Sequence, residues 1–543
     1  MVPLSQLEVL VVDCQATAAA PRGHLLELGW VRLGRSTPCP RACLIALADG
    51  ERIPPAVARI TGISEQMVRH GVHAGAAWRD LSDEAATFRQ QPAPTVIHFA
   101  RFEQPFLRSL AGGTPPLDVV CTHDIARRLL PDLPRRSLRA LAGYFGRAVG
   151  ALRRSADHVE ATAFVWRELV RLLDAAGVST WAALQEWLAG PVDSTKRARR
   201  VWPMPRDLRL ALPDAPGIYR LLRTTGDVLY VGRASSLHRR VNSYFRHQRG
   251  VPERMLEMLS QVRDLSIEVS PSTLEAALLE ADEIKRHRPP YNVALAGEDR
   301  GIWFTPPDLS ERSSHASSRF RIGPFSSDDM LDQFSALARG NPAALGRGRW
   351  VRDVALFNAG YTRLCAEHRE LSRNDVRPHA RLLRLGTRLW REGRRDRRLD
   401  EDGATGDGSV DAWTPEEVQL SLERLTLRAA HARRRARWLT RLVDAAVMWR
   451  EPGAAGARLI VLESGEIASC GAIDCGGTPP IPPGHERTNA ERRASFTLAR
   501  FDRLRVLTTE LKRLVADGAS VAVRFGAAPA LADARLAAAL SWV

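Results

Sequence analysis

Residues 217–292 constrain this chain more than any other stretch. Gly217-Ile218-Tyr219 opens an alternating run over 216–223, Thr225-Gly226-Asp227 reads as a turn, and Tyr230-Val231-Gly232 falls in a second alternating run over 227–232. Two such runs across a short Gly-containing turn predict a hairpin, with Tyr219 and Tyr230 on adjacent strands facing one site. Ser235 or Ser236 caps the helix that follows. There Arg240 and Tyr244, spaced i and i+4, set a fixed positive charge and a third phenol on one face. Ser272-x-x-Glu275 reads as a capping box opening a second helix, which ends before Pro289 and carries Glu280 in its middle.

Such a set suits phosphodiester hydrolysis. A hard cation such as Mg²⁺ (or Mn²⁺) on Glu280 would polarise the phosphate and neutralise developing charge, while Arg240 donates a forked pair of hydrogen bonds to phosphoryl oxygens. Water is the nucleophile. A phenol, with a reference pKa of about 10, serves as general base only where cations lower it, and Arg240, Arg233 and the metal are the candidates. Taken singly, a strand tyrosine is packing and a mid-helix glutamate a solvated face. The joint spacing carries the reading.

In this order the motifs resemble the GIY-YIG nuclease domain at the N-terminus of the bacterial excinuclease C family and its shorter single-incision homologue. The resemblance implies a general base or its partner at Tyr219 and Tyr230, phosphate contact at Arg240 and Tyr244, and the metal at Glu280. It gives Gly217, Gly232 and Asn292 structural roles at the site. Arg233 stands where the family usually has Lys. Lysine occurs only three times in the chain, so the change reads as compositional bias that keeps the charge but not the capacity to give up a proton.

At 543 residues the chain is too long for one core and predicts about three domains. A net charge of +16 and a pI near 10.4 fit a polyanion-binding protein, with DNA the expected partner. Arginine and alanine are abundant as in a GC-rich coding sequence, so composition alone does not prove nucleic-acid binding. The seven cysteines form no paired CxxC set: Cys39-x3-Cys43 and Cys470-x4-Cys475 are isolated pairs, which favours free thiols over structural zinc. The N-terminus has no basic flank before its apolar run, and no run approaches the ~18 apolar residues of a membrane span. A soluble, cytoplasmic protein is expected.

Ahead of the hairpin, residues 8–12 (Glu-Val-Leu-Val-Val) form a buried-strand pattern that delivers Asp13 at its end. Leu25 to Leu33 make a second strand, and Val96-Ile97-His98 a later one followed by Phe102-Glu103 and a helix. Leu138 to Phe145, with Ser137 as cap, and Val159 to Leu173 are helical by period. Val12-Asp13-Cys14-Gln15, Arg59-Ile60-Thr61-Gly62-Ile63, His98-x3-Phe102-Glu103-x2-Phe106-Leu107 and Glu160-Ala161-Thr162-Ala163 resemble phrases of the proofreading-type exonuclease domain of the RNase H-like fold, over about residues 7–175.

The resemblance implies four carboxylates holding two metal ions and a His that activates water. Here the positions read Asp13, Gln15 in place of Glu, Glu103 in place of Asp, Arg153 in place of His, and His158 in place of the last Asp. Two divalent ions side by side need several negative charges to offset their repulsion, and Gln, Arg and His supply none. Asp157 lies one residue off and points about 100° away on a helix. One reading is a remodelled one-metal site on Asp13 and Glu103 with His158 or Asp157. The other is an exonuclease retired to a binding or scaffolding role, which the charge count favours.

Thr180 to Leu188 close this domain with a short helix after a break at Gly177. Gly190-Pro191 through Pro205 read as a linker holding Trp202 and the basic run Lys196, Arg197, Arg199 and Arg200, a solvated stretch or a DNA-backbone contact. Beyond Asn292, Ile322-Gly323-Pro324-Phe325-Ser326 extends the excinuclease resemblance to about residue 330. Residues 350–393 are mostly helical, arginines cluster at 394, 395, 397 and 398, and Asp400 to Gly408 read as a flexible joint. Thr414-Pro415-Glu416-Glu417 opens a long helix with cap, N1 proline and N3 glutamate in place, and Arg433, Arg434, Arg435, Arg437 and Arg441 spread over its faces. Some of these arginines snorkel from a packing seam and some track phosphates on this reading. A hairpin over 459–473, a Pro-rich loop at 479–483, a helix over about 489–516 and a strand over 521–525 complete a small α+β module. No second RNase H-like endonuclease is expected in it.

The expectation is therefore an α/β multidomain protein. Its segments are an exonuclease-like RNase H-like domain (1–185), a basic linker (186–206), a GIY-YIG endonuclease domain (207–297), a mostly helical region with a flexible joint (298–412), and a long helix with a small α+β module (413–543). The expected role is metal-dependent incision of damaged or distorted DNA in or beside nucleotide excision repair, with excision-repair or replication proteins as partners. The alternatives are a 3′–5′ exonuclease acting through the front domain and a catalytically inactive DNA-binding accessory factor. The intact tyrosine, arginine and glutamate set argues against the last, and the missing carboxylates argue against the exonuclease.

Overall fold

The computed structural model describes residues 2–34, 38–48, 50–191, 201–246, 250–292, 301–326, 328–340, 354–372, 377–392, 414–454, 456–473 and 477–541. The basic run with Lys196, Arg197, Arg199 and Arg200, the arginines at 394–398, the joint at 400–408 and Cys475 lie outside the described residues. The chain divides into two compact units, one of residues Met1–Pro271 with Pro289–Asn292 and one of Ser272–Arg288 with Val293–Val543. This division does not follow the expected segments: the helix bearing Glu280 falls in the second unit and its hairpin in the first.

In the first unit, strands β1 (Val9–Ala16), β2 (Leu25–Leu33), β3 (Arg41–Leu44), β4 (Ala93–Ile97) and β5 (Leu117–Cys121) form a sheet of order β3-β2-β1-β4-β5. The first three strands are antiparallel neighbours, whereas β4 runs parallel to β1 and β5 parallel to β4, which is the RNase H-like arrangement. Strand periodicity sends Val9, Val11 and Val31 to one face and Leu10, Val12 and Trp30 to the other, and both faces are buried. The helix Ser155–Ala175 covers the first of these faces with Val159, Trp166 and Leu169. Strand β1 does not stop at Asp13 as expected. Pairing with β2 continues through Ala16, so Asp13 sits inside the ladder opposite Gly29.

Gly29 then decides where that helix begins. A Cβ there would lie 2.5 Å from the Cβ of Ser155, a distance side chains do not tolerate. The close approach is held by Glu27, whose buried carboxylate accepts from Ser155 N at 2.8 Å and pairs with Arg154. Asp157 accepts from the backbone N of Arg154 at 3.1 Å and so caps the helix.

Strands β6 (Gly217–Leu222), β7 (Val228–Ala234) and β8 (Asp264–Val269) form a second sheet of order β7-β6-β8 in the same unit. The hairpin register sets Tyr219 opposite Gly232 and Leu221 opposite Tyr230. Ser236, rather than Ser235, caps the helix Leu237–Tyr244. Helices and loops beside the two sheets touch: Ser137 Oγ donates to Glu257 at 2.8 Å, Arg135 N to Ser260 Oγ at 2.9 Å, and the Arg263 guanidinium lies 4.2 Å from the Tyr144 ring centre.

The second unit has two cores joined by the helix Pro415–Leu442, which opens with the expected box between Thr414 and Glu417. Its first part packs Val418, Leu422 and Leu425 against helices Asp328–Ala338, Val354–Glu367 and Pro378–Arg391 beside the two-stranded pair β9 (Trp303–Thr305) and β10 (Ile322–Phe325). Its last turns join a core under β11 (Ala446–Arg450), β12 (Ala457–Glu463), β13 (Glu466–Ile473), β14 (Ser520–Arg524) and β15 (Leu531–Ala532), in order β13-β12-β11-β14-β15. Every neighbouring pair in that sheet is antiparallel, as suits an α+β module and not an RNase H-like one.

The structure corrects two further expectations and adds a strand. The helix read over 489–516 is two, Asn489–Ala494 and Leu498–Ala516, because Thr497 accepts from Arg500 N and starts a new helix. Ser272 does accept from Glu275 N, but the Glu275 carboxylate pairs with Arg458 at 2.6 Å, so half of the capping box is missing. Strand β11 went unread because Ala446 to Arg450 are flanked by no turn signal on their N-terminal side.

Candidate active site

Three phenols converge beside the hairpin. Tyr219 Oη lies 2.7 Å from Tyr244 Oη, and the ring centres of Tyr219 and Tyr230 are 6.2 Å apart and those of Tyr230 and Tyr244 6.3 Å. The Arg240 guanidinium sits 5.2 Å from the Tyr244 ring centre. Gly232 makes room for this cluster, since a Cβ there would fall 2.4 Å from Tyr219 Oη. Gly217 lets β8 close in, because its Cβ would meet Glu268 O at 2.3 Å. Asn292 bridges the backbone of Val231 in both directions, accepting from its N at 2.9 Å and donating to its O at 2.8 Å. That pair satisfies the outward groups of an edge strand between Tyr230 and Gly232.

The phenols are not equivalent. Tyr219 is fully buried, Tyr244 is 8% exposed and Tyr230 is half-buried. Burial, followed by the neighbouring phenols of Tyr244 and Tyr230, pushes Tyr219 well above the ordinary tyrosine range, and Arg240 offsets only part of this. The expected lowering by Arg240 therefore does not prevail at Tyr219. As it stands, that hydroxyl is paired with Tyr244 and holds its proton. Arg233 is half-buried on β7, and Glu280 is half-buried on the helix Thr273–His287 of the second unit.

The front sheet carries a separate cleft of about 780 Å³, lined in part by Asp13, Gln15, His98, Glu103, Arg153 and His158. All five residues that the exonuclease resemblance points to are therefore brought together. Asp13 Oδ1 lies 3.1 Å from His158 Nδ1, and Gln15 donates to Asp13 Oδ2 at 2.9 Å. Burial works against a charge on His158, but the hydrogen bond and negative charge of Asp13 override it and raise its pKa. Glu103 is 3% exposed with Oε2 lacking a hydrogen-bond partner, and burial, then the charge of Asp13, push its pKa well above the carboxylate range. Asp157, spent on the cap, is turned away as its helical phase requires.

His98 escaped the sequence reading as a site residue. Its Nδ1 lies 2.9 Å from Thr122 Oγ1, its Nε2 has no partner, and burial, then His123 and His158, lower its pKa to about 3. The signal was a histidine placed directly after the strand Ala93–Ile97. Phe99 beside it holds left-handed backbone angles, φ 62° and ψ 47°, and with Phe102 presents an exposed aromatic edge to the cleft. Such strained, half-exposed residues mark functional clefts more than cores.

Elsewhere among the described residues, Glu367, His368 and Glu423 approach one another closely enough to suggest a metal. However, Arg388 donates to His368 Nδ1 at 2.9 Å, so the ring proton sits on Nε2, 2.9 Å from Glu423 Oε1. A nitrogen carrying a proton cannot ligate, and the cluster is a closed hydrogen-bond network.

The family model for the UvrC-like GIY-YIG domain matches residues 215–293, the span of the hairpin, the phenols, Glu280 and Asn292. Residues 215–293 are a UvrC-like GIY-YIG domain. Over 124 residues the chain is 44% identical to UvrABC system protein C of Sphingopyxis alaskensis, a match covering 21% of this chain and 19% of that one. A Mycobacterium tuberculosis protein with the provisional name bifunctional exonuclease/endonuclease is 30% identical over 356 residues, 62% of this chain and 52% of the relative. The match thus spans about half the length of that relative. Among solved structures, the N-terminal GIY-YIG endonuclease domain of UvrC from Thermotoga maritima, bound to magnesium as its catalytic divalent cation, is 34% identical and covers 16% of this chain and 94% of that one, with a TM-score of 0.15. Exonuclease X in complex with 5′ overhanging duplex DNA is 20% identical and covers 34% of this chain and 99% of that one, with a TM-score of 0.25. Among the described residues no helix is long and apolar enough to cross a membrane.

Proposed function

We propose that this protein is a divalent-metal-dependent DNA endonuclease whose incision chemistry lies in residues 215–293. The observation that carries the reading is the convergence of Tyr219, Tyr230, Tyr244 and Arg240 within the segment matched by the GIY-YIG model. The half-buried Glu280 suits one hard cation that keeps its remaining positions for water and phosphate oxygens, and Mg²⁺ or Mn²⁺ bound there would draw charge from the phosphate. Arg240 orients the phosphoryl oxygens. Tyr230, the least buried phenol, acts as base in its phenolate form, its own proton having passed to solvent, and takes the proton of the attacking water, while Tyr219 holds Tyr244 through their hydroxyl pair. Damaged or distorted DNA is the substrate class, in or beside nucleotide excision repair in the cytoplasm, with excision-repair or replication proteins as partners.

For the front domain we favour binding of nucleic acid without hydrolysis. A cation of the protein, His158, and the guanidinium of Arg153 stand at the cleft where a two-metal site needs acid and base, so Asp13 and Glu103 do not fit a pair of divalent ions.

The test incubates purified protein and Mg²⁺ or Mn²⁺ with end-labelled intact, lesion-bearing and branched duplexes. Internal nicks that vanish in Glu280→Gln, with DNA affinity retained, support the assignment. Undiminished nicking by Glu280→Gln overturns it.

A further inference from the structure

We propose that the C-terminal α+β module is a clamp on the Glu280 helix, with Arg503 and Asp502 as positioning residues for the metal carboxylate. This rests on the reading of Glu280 as the metal ligand. The module grips the helix Thr273–His287 from end to end. Leu274 and Leu278, at i and i+4, are buried in one core with Trp438, Leu442, Phe501 and Leu504. Arg503 Nη2 donates to Asp282 Oδ1 at 2.9 Å, Lys285 Nζ pairs with Asp502 at 2.5 Å, and Arg458 Nη2 with Glu275 at 2.6 Å. Arg513 Nη2 donates to Thr273 Oγ1 at the first turn.

Apart from Thr273 in the first turn, these contacts share one side of the helix. At about 100° per residue, Glu280 stands on the opposite side from Leu278 and Asp282, so the module grips the back of the helix and leaves the carboxylate on its front. Asp502 is 1% exposed. If the helix turned or slid, this buried carboxylate would lose the ammonium of Lys285, and breaking a buried ion pair is costly enough to hold the register. Arg503, with its side chain 14% exposed, is itself held by Glu466, which makes the Asp282 contact a fixed point two residues from Glu280. A lone carboxylate ligand depends on such support, since a displacement of about 1 Å degrades a site that has few other ligands.

The experiment measures Mn²⁺ binding to the full chain by electron paramagnetic resonance, with Glu280→Gln defining the Glu280-dependent site. Asp282→Asn, Arg503→Ala and their double variant are each expected to weaken Mn²⁺ at that site about 5-fold or more. The double should be no worse than the singles, as for one shared contact. Arg503→Lys should recover most of the affinity, and duplex DNA binding should stay within about 2-fold, with an unmoved melting transition for Asp282→Asn. Unchanged Mn²⁺ affinity in Asp282→Asn and Arg503→Ala overturns the clamp while leaving the metal assignment intact. Full Mn²⁺ stoichiometry in Glu280→Gln overturns the metal assignment, and with it the clamp.

Discussion

His158 Nδ1 lies 3.1 Å from Asp13 Oδ1, so the front cleft is supplied with a cation by the protein itself. Because Asp13 raises the pKa of His158, this pair is ionic over a wider pH range than a free histidine would allow. It occupies the room and offsets the charge that a bound metal would otherwise have.

From this we expect no terminal shortening of single- or double-stranded DNA by the full chain carrying Glu280→Gln, in Mg²⁺ and with labels at either end. Loss of metal ligands and of the general base together costs many orders of magnitude in rate, and restoring one of them does not restore a site that acts as a unit. Digestion that disappears on Asp13→Asn would show a working hydrolytic site in this cleft.

Glu103→Gln should stabilise the protein at pH 8 and have little effect near pH 4. A carboxyl with a raised folded pKa contributes stability that is complete below its ordinary value of 4.5 and is lost as pH rises through the folded value. Glutamine removes that loss. Melting curves at several pH values decide it, and equal shifts at all pH values would mean that burial does not govern Glu103.

Tyr230→Phe should lower the nicking rate at saturating DNA by about 100-fold or more, with Tyr219→Phe producing a smaller fall. The reason is burial: the Tyr219 hydroxyl is spent on Tyr244 and its pKa is driven upward. Single-turnover rates measure the ranking directly. A larger loss for Tyr219→Phe would return the base role to the inner phenol.

Duplex affinity should fall steeply with salt, with a log-log slope of roughly −0.9 per phosphate contacted. Burial, then like charge, lowers the pKa of Arg433, facing Arg437, and of Arg434, facing Arg391 and Arg437. Such a gathering of like charges gains from a polyanion. Replacing Arg391, Arg434 and Arg437 with Ala should flatten the slope by about 2 to 3 in filter-binding titrations. An unchanged slope would make the excess arginine compositional.

How much of this was legible depends on the range of the forces involved. The hairpin with Tyr219 and Tyr230, the Thr414 box and strand Leu25–Leu33 are set by residues close along the chain and were readable from it, whereas the choice of Ser236 over Ser235 as cap came with the fold. The motif positions of Asp13, Glu103 and His158 were readable in the same way, as was the turning aside of Asp157 by helical phase. That Asp13 lies within its strand could not be read locally, since it rests on pairing with β2 and on the space Gly29 leaves for Ser155. Only the tertiary structure decided that Tyr219 is an inner phenol. Glu275 leaves its capping box for Arg458, 183 residues away, and Asp282 is held by Arg503, 221 residues away. No local pattern encodes such partners, because a carboxylate on a helix takes whichever cation the packed chain brings to it, and burial then makes that choice costly to undo.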